Sequence, residues 1–289
     1  MLTGTLIVVA AQVSAALYVQ APGHITSVWS GAGRTYVEWR SGSDTFEWAN
    51  LEANSSLGQR KTLPAPFRLI GVDEKGEPLI ASEPMQMAGD KQSKLFAEYQ
   101  AFSINGISGA LVSGNLFVNR GSLGRQPVPV DRFTGFTLAA DGKLYLLRNE
   151  LNSLRVEILG SDEPPLTFAG VKLAFPFVSC AATQEGVVAL LVSRGTSFQG
   201  KVIRHSWFYK PWDTADPIMI HLVALARRDR MRHIATIEIP WPEDLQHPLP
   251  LRKHLAVDEK SGRAFVAVDD KLYCFDMSKA LPPNQGYQR

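Results

Sequence analysis

Two cysteines in 289 residues leave no basis for a disulfide-stapled scaffold. Cys180 lies in FVSCAAT and Cys274 in KLYCFDM, apolar runs in which buried thiols are expected. A surplus of charge is missing too. Thirty Lys plus Arg stand against 28 Asp plus Glu, a net +2, so a patch for nucleic acid or membrane has to be local. No Lys or Arg precedes Arg34, which removes the charged head of a secretory signal. The apolar run before it is interrupted by Gln12 and Ser14 and is too short and mixed to span a membrane. We read it as one or two buried strands of a cytoplasmic protein. A cleaved signal and secretion is the alternative, and only then does the glycosylation pattern Asn54-Ser55-Ser56 matter.

The standard catalytic motifs are absent as well. There is no G-x-S-x-G elbow, since the Ser197 region reads RGTSFQG. There is no Walker loop, and Gly31-Ala32-Gly33 lacks the third glycine and the following helix of a dinucleotide fingerprint. No H-E-x-x-H, no Cys/His zinc spacing and no EF-hand loop occur. The sequence therefore assigns no catalytic residue, no metal ligand and no cofactor. Helical periodicity is nearly absent throughout.

What the chain does contain is short apolar runs folded back by small polar turns. His254 to Met277, HLAVDEKSGRAFVAVDDKLYCFDM, is the most complete example: two strands and the start of a third. FTLAADGKLYLLRNELNSLRVEILG repeats it, with turns at Ala140–Lys143 and Asn149–Ser153. FRLIGVDEKGEPLIAS, FVSCAATQEGVVALLVS and GALVSGNLFVNR each read as one hairpin, the last turning at Ser113-Gly114-Asn115. Further hairpins are expected at Ser30–Gly33 and Ser41–Asp44, and another in the arginine cluster after IMIHLVALA. LFAEYQAFSI stays open between strand and short helix, and Met85–Lys94 reads as loop. Many strand runs are apolar on consecutive residues, which suits strands covered on both faces.

The turns recur. Anchors at Gly33, Gly76, Gly114, Gly142, Gly186, Arg230 and Gly262 are 43, 38, 28, 44, 44 and 32 residues apart. A four-stranded propeller blade takes about 40–45 residues. Gly186 and Arg230 fit one blade with an enlarged middle loop, leaving six, with five or seven as alternatives. In this cadence, as in LAVDEKSGRAFVAV and FTLAADGKLYLL, the chain resembles the β-propeller superfamily in its generic form, from about Thr5 to Met277. No subfamily signature is matched. Trp212-Asp213 sits in an irregular insert with no Gly-His before it, and Ser41–Trp48 only distantly resembles a sialidase-type Asp-box. The resemblance implies an all-β ring over residues 1–277 with an insert at 194–217 and a tail at 278–289. It also implies closure by pairing an N-terminal strand, such as TLIVVAA, with the C-terminal KLYCFDM run. A β-sandwich pair is the alternative architecture.

Two features depart from the repeat. One is the insert around Trp207, Phe208, Tyr209 and Trp212, four aromatics within six residues beside Pro211. Exposed, they form a contact platform; folded down, they pack on the ring. The other is the cluster Arg227, Arg228, Arg230 and Arg232, suited to carboxylate or phosphate recognition, or simply a solvated turn. Acidic pairs Asp73-Glu74, Asp258-Glu259 and Asp269-Asp270 fall in turns or strand ends, where local backbone bonding is expected. Of the six histidines, His221 and His254 fall in or beside strands, where a core or channel position is expected. The reading is a non-catalytic interaction module or scaffold subunit whose partner is another protein, with no membrane role. The alternatives are a propeller hydrolase, lactonase or carbohydrate-active enzyme using the channel, and a nucleic-acid factor using the arginine hairpin.

Overall fold

The computed structural model describes residues 16–43, 45–82, 99–112, 114–119, 127–130, 134–150, 153–159, 161–169, 178–183, 186–194, 218–226, 230–239 and 254–277. Within them the chain is β throughout. Strand β1 (Ala16–Gln20) comes first, followed by a sheet of β2 (Ile25–Gly31), β3 (Arg34–Arg40), β4 (Thr45–Asn50) and β5 (Lys61–Pro64). Next come β6 (Phe67–Val72), β7 (Pro78–Ser82), β8 (Tyr99–Ile104), β9 (Ile107–Val112), β10 (Asn115–Val118) and β11 (Val128–Pro129). These six form one sheet in the order β11-β10-β9-β8-β6-β7. A four-stranded sheet follows from β12 (Thr134–Leu138), β13 (Leu144–Glu150), β14 (Ser153–Leu159) and β15 (Leu166–Ala169). Another is built from β16 (Val178–Thr183), β17 (Gly186–Arg194), β18 (Ile218–Ala226) and β19 (Arg230–Ile239). The last three strands, β20 (Leu255–Asp258), β21 (Arg263–Val268) and β22 (Lys271–Asp276), take β1 as their fourth.

The first strand of each unit packs on the first strand of the next. β2 meets β6, β6 meets β8, β12 meets β16, β16 meets β20, and β20 returns to β2. Between β8 and β12 the link is made by the rings of Phe102 and Phe136, 5.3 Å apart, and by Asn105 Nδ2 donating to the Leu138 carbonyl at 2.6 Å. The ring is closed. The chain is a β-propeller.

Among the described residues it has four four-stranded blades and one six-stranded sheet, five sheets where about six units, or five or seven, were expected. The difference has a local cause. β6 and β8 run parallel and bond at Gly71 and Ser103, so the β6–β7 hairpin and the β8–β11 unit share one sheet. A Cβ at residue 71 would run into the Ser103 carbonyl oxygen, so only glycine permits this approach. The expected merger of Gly186 and Arg230 into one blade holds, since both lie in the β16–β19 sheet. Gly114, in contrast, turns β9 into β10, and the turn that opens its unit is Asn105-Gly106. LFAEYQAFSI resolves as a strand over its described part, β8.

Local sequence explains the hairpins. Turns opening five of the units place Gly33, Gly76, Gly106, Gly142 and Gly262 at φ between 66° and 88°. That region suits glycine because it has no Cβ to clash. Turn aspartates fold the backbone back on itself. Asp73 Oδ1 accepts from the amides of Lys75 (2.9 Å) and Glu77 (2.8 Å), Asp141 Oδ1 from Lys143 (3.1 Å), and Asp258 Oδ1 from Lys260 (3.2 Å). These acids are occupied as turn formers, as expected from their positions.

Among the described residues three apolar clusters lie between neighbouring sheets. β12 is buried at every position and β3 and β21 at nearly every one, so the consecutive apolar runs are strands covered on both faces. Closure uses β1, ALYVQ, against β22, with Ala16 opposite Cys274 and Gln20 opposite Lys271. The expected strand TLIVVAA lies outside the described residues, as do the tail 278–289 and the loop Met85–Lys94. The Asp269-Asp270 turn clamps this junction. Its carbonyls accept from Ile25 N (2.8 Å) and Ala21 N (2.7 Å), and its carboxylates meet His24 Nδ1 (3.1 Å) and Gln20 Nε2 (2.7 Å).

Candidate partner-binding surface

The β16–β19 blade differs from the others in strand length. β17, β18 and β19 have 9, 9 and 10 residues, whereas no other described strand exceeds 7. The register of β17, β18 and β19 runs on through residues 192–194, 218–220 and 237–239. The insert joins β17 to β18, after Arg194 and before Ile218. Its Trp207, Phe208, Tyr209 and Trp212 lie outside the described residues.

The arginine cluster is rooted at the other end of the same strands. Gly186 pairs with Ala226, which pairs with Arg230, so the turn holding Arg227 and Arg228 joins β18 to β19 there. Arg230 and Arg232 occupy alternate positions of β19, opposite Ala226 and Ala224. Arg227 and Arg228 themselves lie outside the described residues. Eight register steps separate this end from Arg194, about 26 Å. The aromatic and the basic feature thus share a blade and leave it from opposite ends.

Among the described residues no three of His, Cys, Asp and Glu gather as a metal-holding group. His254 is buried beside β20, and His221 lies in β18 opposite Leu191 and Thr236. Cys180 is buried and Cys274 half-buried, and both are thiols. Burial, reinforced by Asp276 and opposed by Arg263, raises the Cys274 thiol above its ordinary pKa. Among the described residues no helix is long and apolar enough to cross a membrane.

Two features escaped the sequence. Glu38, in the middle of β3, is fully buried and takes four donors: Arg68 Nε (2.9 Å) and Nη2 (2.6 Å), Thr26 Oγ1 (2.6 Å) and the Leu69 amide (2.7 Å). Arg68 also lies over the Phe46 ring, 3.9 Å from its centre. Together they fasten the first sheet to β6. The second is a set of exposed apolar side chains, Phe67 (44%), Ile80 (42%) and Phe117 (42%), all in the six-stranded sheet.

No family model matches this chain, and no curated protein does. Among solved structures it is similar to one described as "YCF48 bound to D1 peptide", at 12% identity and a TM-score of 0.41, over 92% of this chain and 96% of that one. So distant a likeness carries no argument here, and the propeller rests on the closed ring of inner strands.

Proposed function

We propose that this propeller is a non-catalytic interaction module, a scaffold subunit that docks a partner protein through the β16–β19 blade. The insert bearing Trp207, Phe208, Tyr209 and Trp212 makes the principal contact. The turn bearing Arg227, Arg228, Arg230 and Arg232 makes a second one toward acidic groups. The observation that supports this reading is that β17, β18 and β19, with 9, 9 and 10 residues, are the longest of the described strands and form the blade that bears the insert. Trp, Tyr and Arg are the residues that dominate contact energy. Cytoplasmic placement is part of the proposal, supported by two cysteines held as thiols.

The test is to replace residues 195–213 with a short Gly-Ser link and compare the proteins that co-purify with the wild-type and shortened chains. Loss of a stoichiometric partner, with an unchanged melting temperature, is the expected result. An unchanged partner set sinks the assignment of the insert. Replacing the four arginines with serine is expected to weaken the same complex less than the insert deletion does and to reduce its salt sensitivity.

A further inference from the structure

We infer that Asn105 is a modification site: the folded turn lets the Gly106 nitrogen displace the side-chain amide of Asn105, and the product unfastens this sheet from the β12–β15 blade. Asn105-Gly106 joins β8 to β9 as a two-residue hairpin turn, and both residues take positive φ, 51° and 74°. Asparagine and glycine suit that pair of conformations, so the tight turn calls for the very sequence that carries the reactivity. Asn105 is the one asparagine of the chain that glycine follows, and glycine has no Cβ to shield its nitrogen. Both residues are exposed. In the reaction the Gly106 nitrogen gives up its proton and attacks Cγ of Asn105. The N–Cγ bond forms, the Cγ–Nδ2 bond breaks, and ammonia leaves with the proton. Water then opens the resulting succinimide at either carbonyl, giving aspartate or isoaspartate. No oxidant, reductant or cofactor takes part.

Three features single out this turn. First, among the described residues no hydrogen bond is made by the Gly106 amide or the Asn105 carbonyl, so this peptide unit rotates toward the attacking geometry without breaking one. The matching glycines of other units are tied: Gly76 N donates to the Asp73 carbonyl (3.0 Å), Gly142 N to that of Ala139 (2.9 Å) and Gly262 N to that of Glu259 (3.2 Å). Asp141-Gly142 forms the same imide in principle, but Asp141 Oδ1 is engaged by the Lys143 amide. At Asn54-Ser55 the Ser55 amide donates to the Glu52 carbonyl (3.1 Å), and Asn54 Oδ1 accepts from Ser56 Oγ (2.6 Å). Second, Glu74 of the β6–β7 turn lies against this one: a Cβ at residue 106 would sit 3.2 Å from Glu74 Oε1. A carboxylate there takes the amide proton directly or through one water. Third, the amide at risk is in use. Asn105 Nδ2 donates to the Leu138 carbonyl at 2.6 Å and, with the Phe102–Phe136 contact, ties β8 to β12. An ionised carboxylate has no hydrogen to donate and faces that carbonyl with an acceptor. Isoaspartate also lengthens the backbone of the hairpin by one atom. The junction therefore weakens as each molecule ages. The site lies apart from the β16–β19 blade and stands or falls independently of partner docking.

The experiment incubates the full-length protein at neutral pH and body temperature and follows Asn54 and Asn105 by peptide mapping, with isoaspartate resolved from aspartate by chromatography. Wild type, wild type held in urea, Glu74→Gln and Asn105→Asp are compared, and urea midpoints establish that each variant is folded. Conversion at Asn105 is expected in the folded protein, with both products present and Asn54 intact over the same interval. Glu74→Gln is expected to slow the conversion about tenfold or more. The urea midpoint of Asn105→Asp is expected to lie roughly 0.2–0.5 M below that of wild type, and aged wild type to move toward it. Conversion confined to the chain held in urea overturns the proposal, because the fold then protects its asparagine. So does an unchanged rate in Glu74→Gln. So does aged protein, converted at Asn105, whose urea midpoint equals that of fresh protein.

Discussion

Replacing Glu38 with alanine removes the acceptor at the junction between the first sheet and β6, and the structure allows its cost to be worked out. The Leu69 amide loses its partner in a buried setting, which costs about 1–3 kcal/mol. Arg68 is 25% exposed and regains water when its partner goes, so its share is discounted to about 1 kcal/mol. Thr26 rotates its hydroxyl back to the Glu38 carbonyl, 3.4 Å away, at little cost. Relief of the carboxylate's own desolvation offsets part of the total. The expected net loss is about 2–3 kcal/mol, below the roughly 3–5 kcal/mol of a fully buried pair broken from one side. At an m-value of about 3 kcal/mol/M this moves the urea midpoint down by about 0.7–1 M. Arg68→Met and the double variant complete a cycle with a coupling energy of about 1 kcal/mol or more. A shift under about 0.2 M, or strict additivity, refutes the idea that this carboxylate organises the junction.

Gly71→Ala forces a methyl group into the Ser103 carbonyl and is expected to cost about 1–3 kcal/mol, read as a lower melting temperature, while Gly142→Ala, whose Cβ meets nothing within 4 Å, carries only the strain of its positive φ, about 1 kcal/mol. Phe102→Ala empties a fully buried site and breaks the contact with Phe136, for about 3–5 kcal/mol in urea unfolding. The raised Cys274 pKa means that the folded state favours the neutral thiol. The associated stability is complete below the unfolded thiol value of about 8.5 and is lost as pH rises through the higher folded value. The urea midpoint is expected to fall above that pH in wild type and to fall less in Cys274→Ala. Iodoacetamide labelling of Cys274 is expected to reach half-maximal rate at a higher pH than in the unfolded chain.

Hairpins built on an Asp-x-Lys or Gly turn were legible because their chemistry is local: the aspartate and the glycine act on backbone within four residues. The turn at Asn105-Gly106 carries an equally strong Asn-Gly signal, but its flanking run LFAEYQAFSI alternates poorly and drew attention to Gly114 instead. Glu38 was not legible. A carboxylate between Val37 and Trp39 reads as the solvent side of an alternating strand, and its partner Arg68 lies 30 residues on. The exposure of Phe67, Ile80 and Phe117 was hidden for a related reason: they look like ordinary strand residues, and which of them a neighbouring sheet covers is decided by the assembled fold. The insert and the arginine turn were visible as departures from the repeat. That they leave one blade from opposite ends follows only from the register of β17, β18 and β19.

The strand that closes the ring is the earliest described in the chain, and its partner is the last. Gln20 and Asp270, joined across the seam, are 250 residues apart. At a synthesis rate of about 5–20 residues per second, β1 waits roughly 12–50 seconds before β22 leaves the ribosome. Throughout that interval its edge and Leu17 are available to any neighbouring nascent chain. The time of greatest danger for this protein therefore comes before the molecule is complete, and its yield in the cell should depend on how fast it is translated as well as on how stable it is once closed.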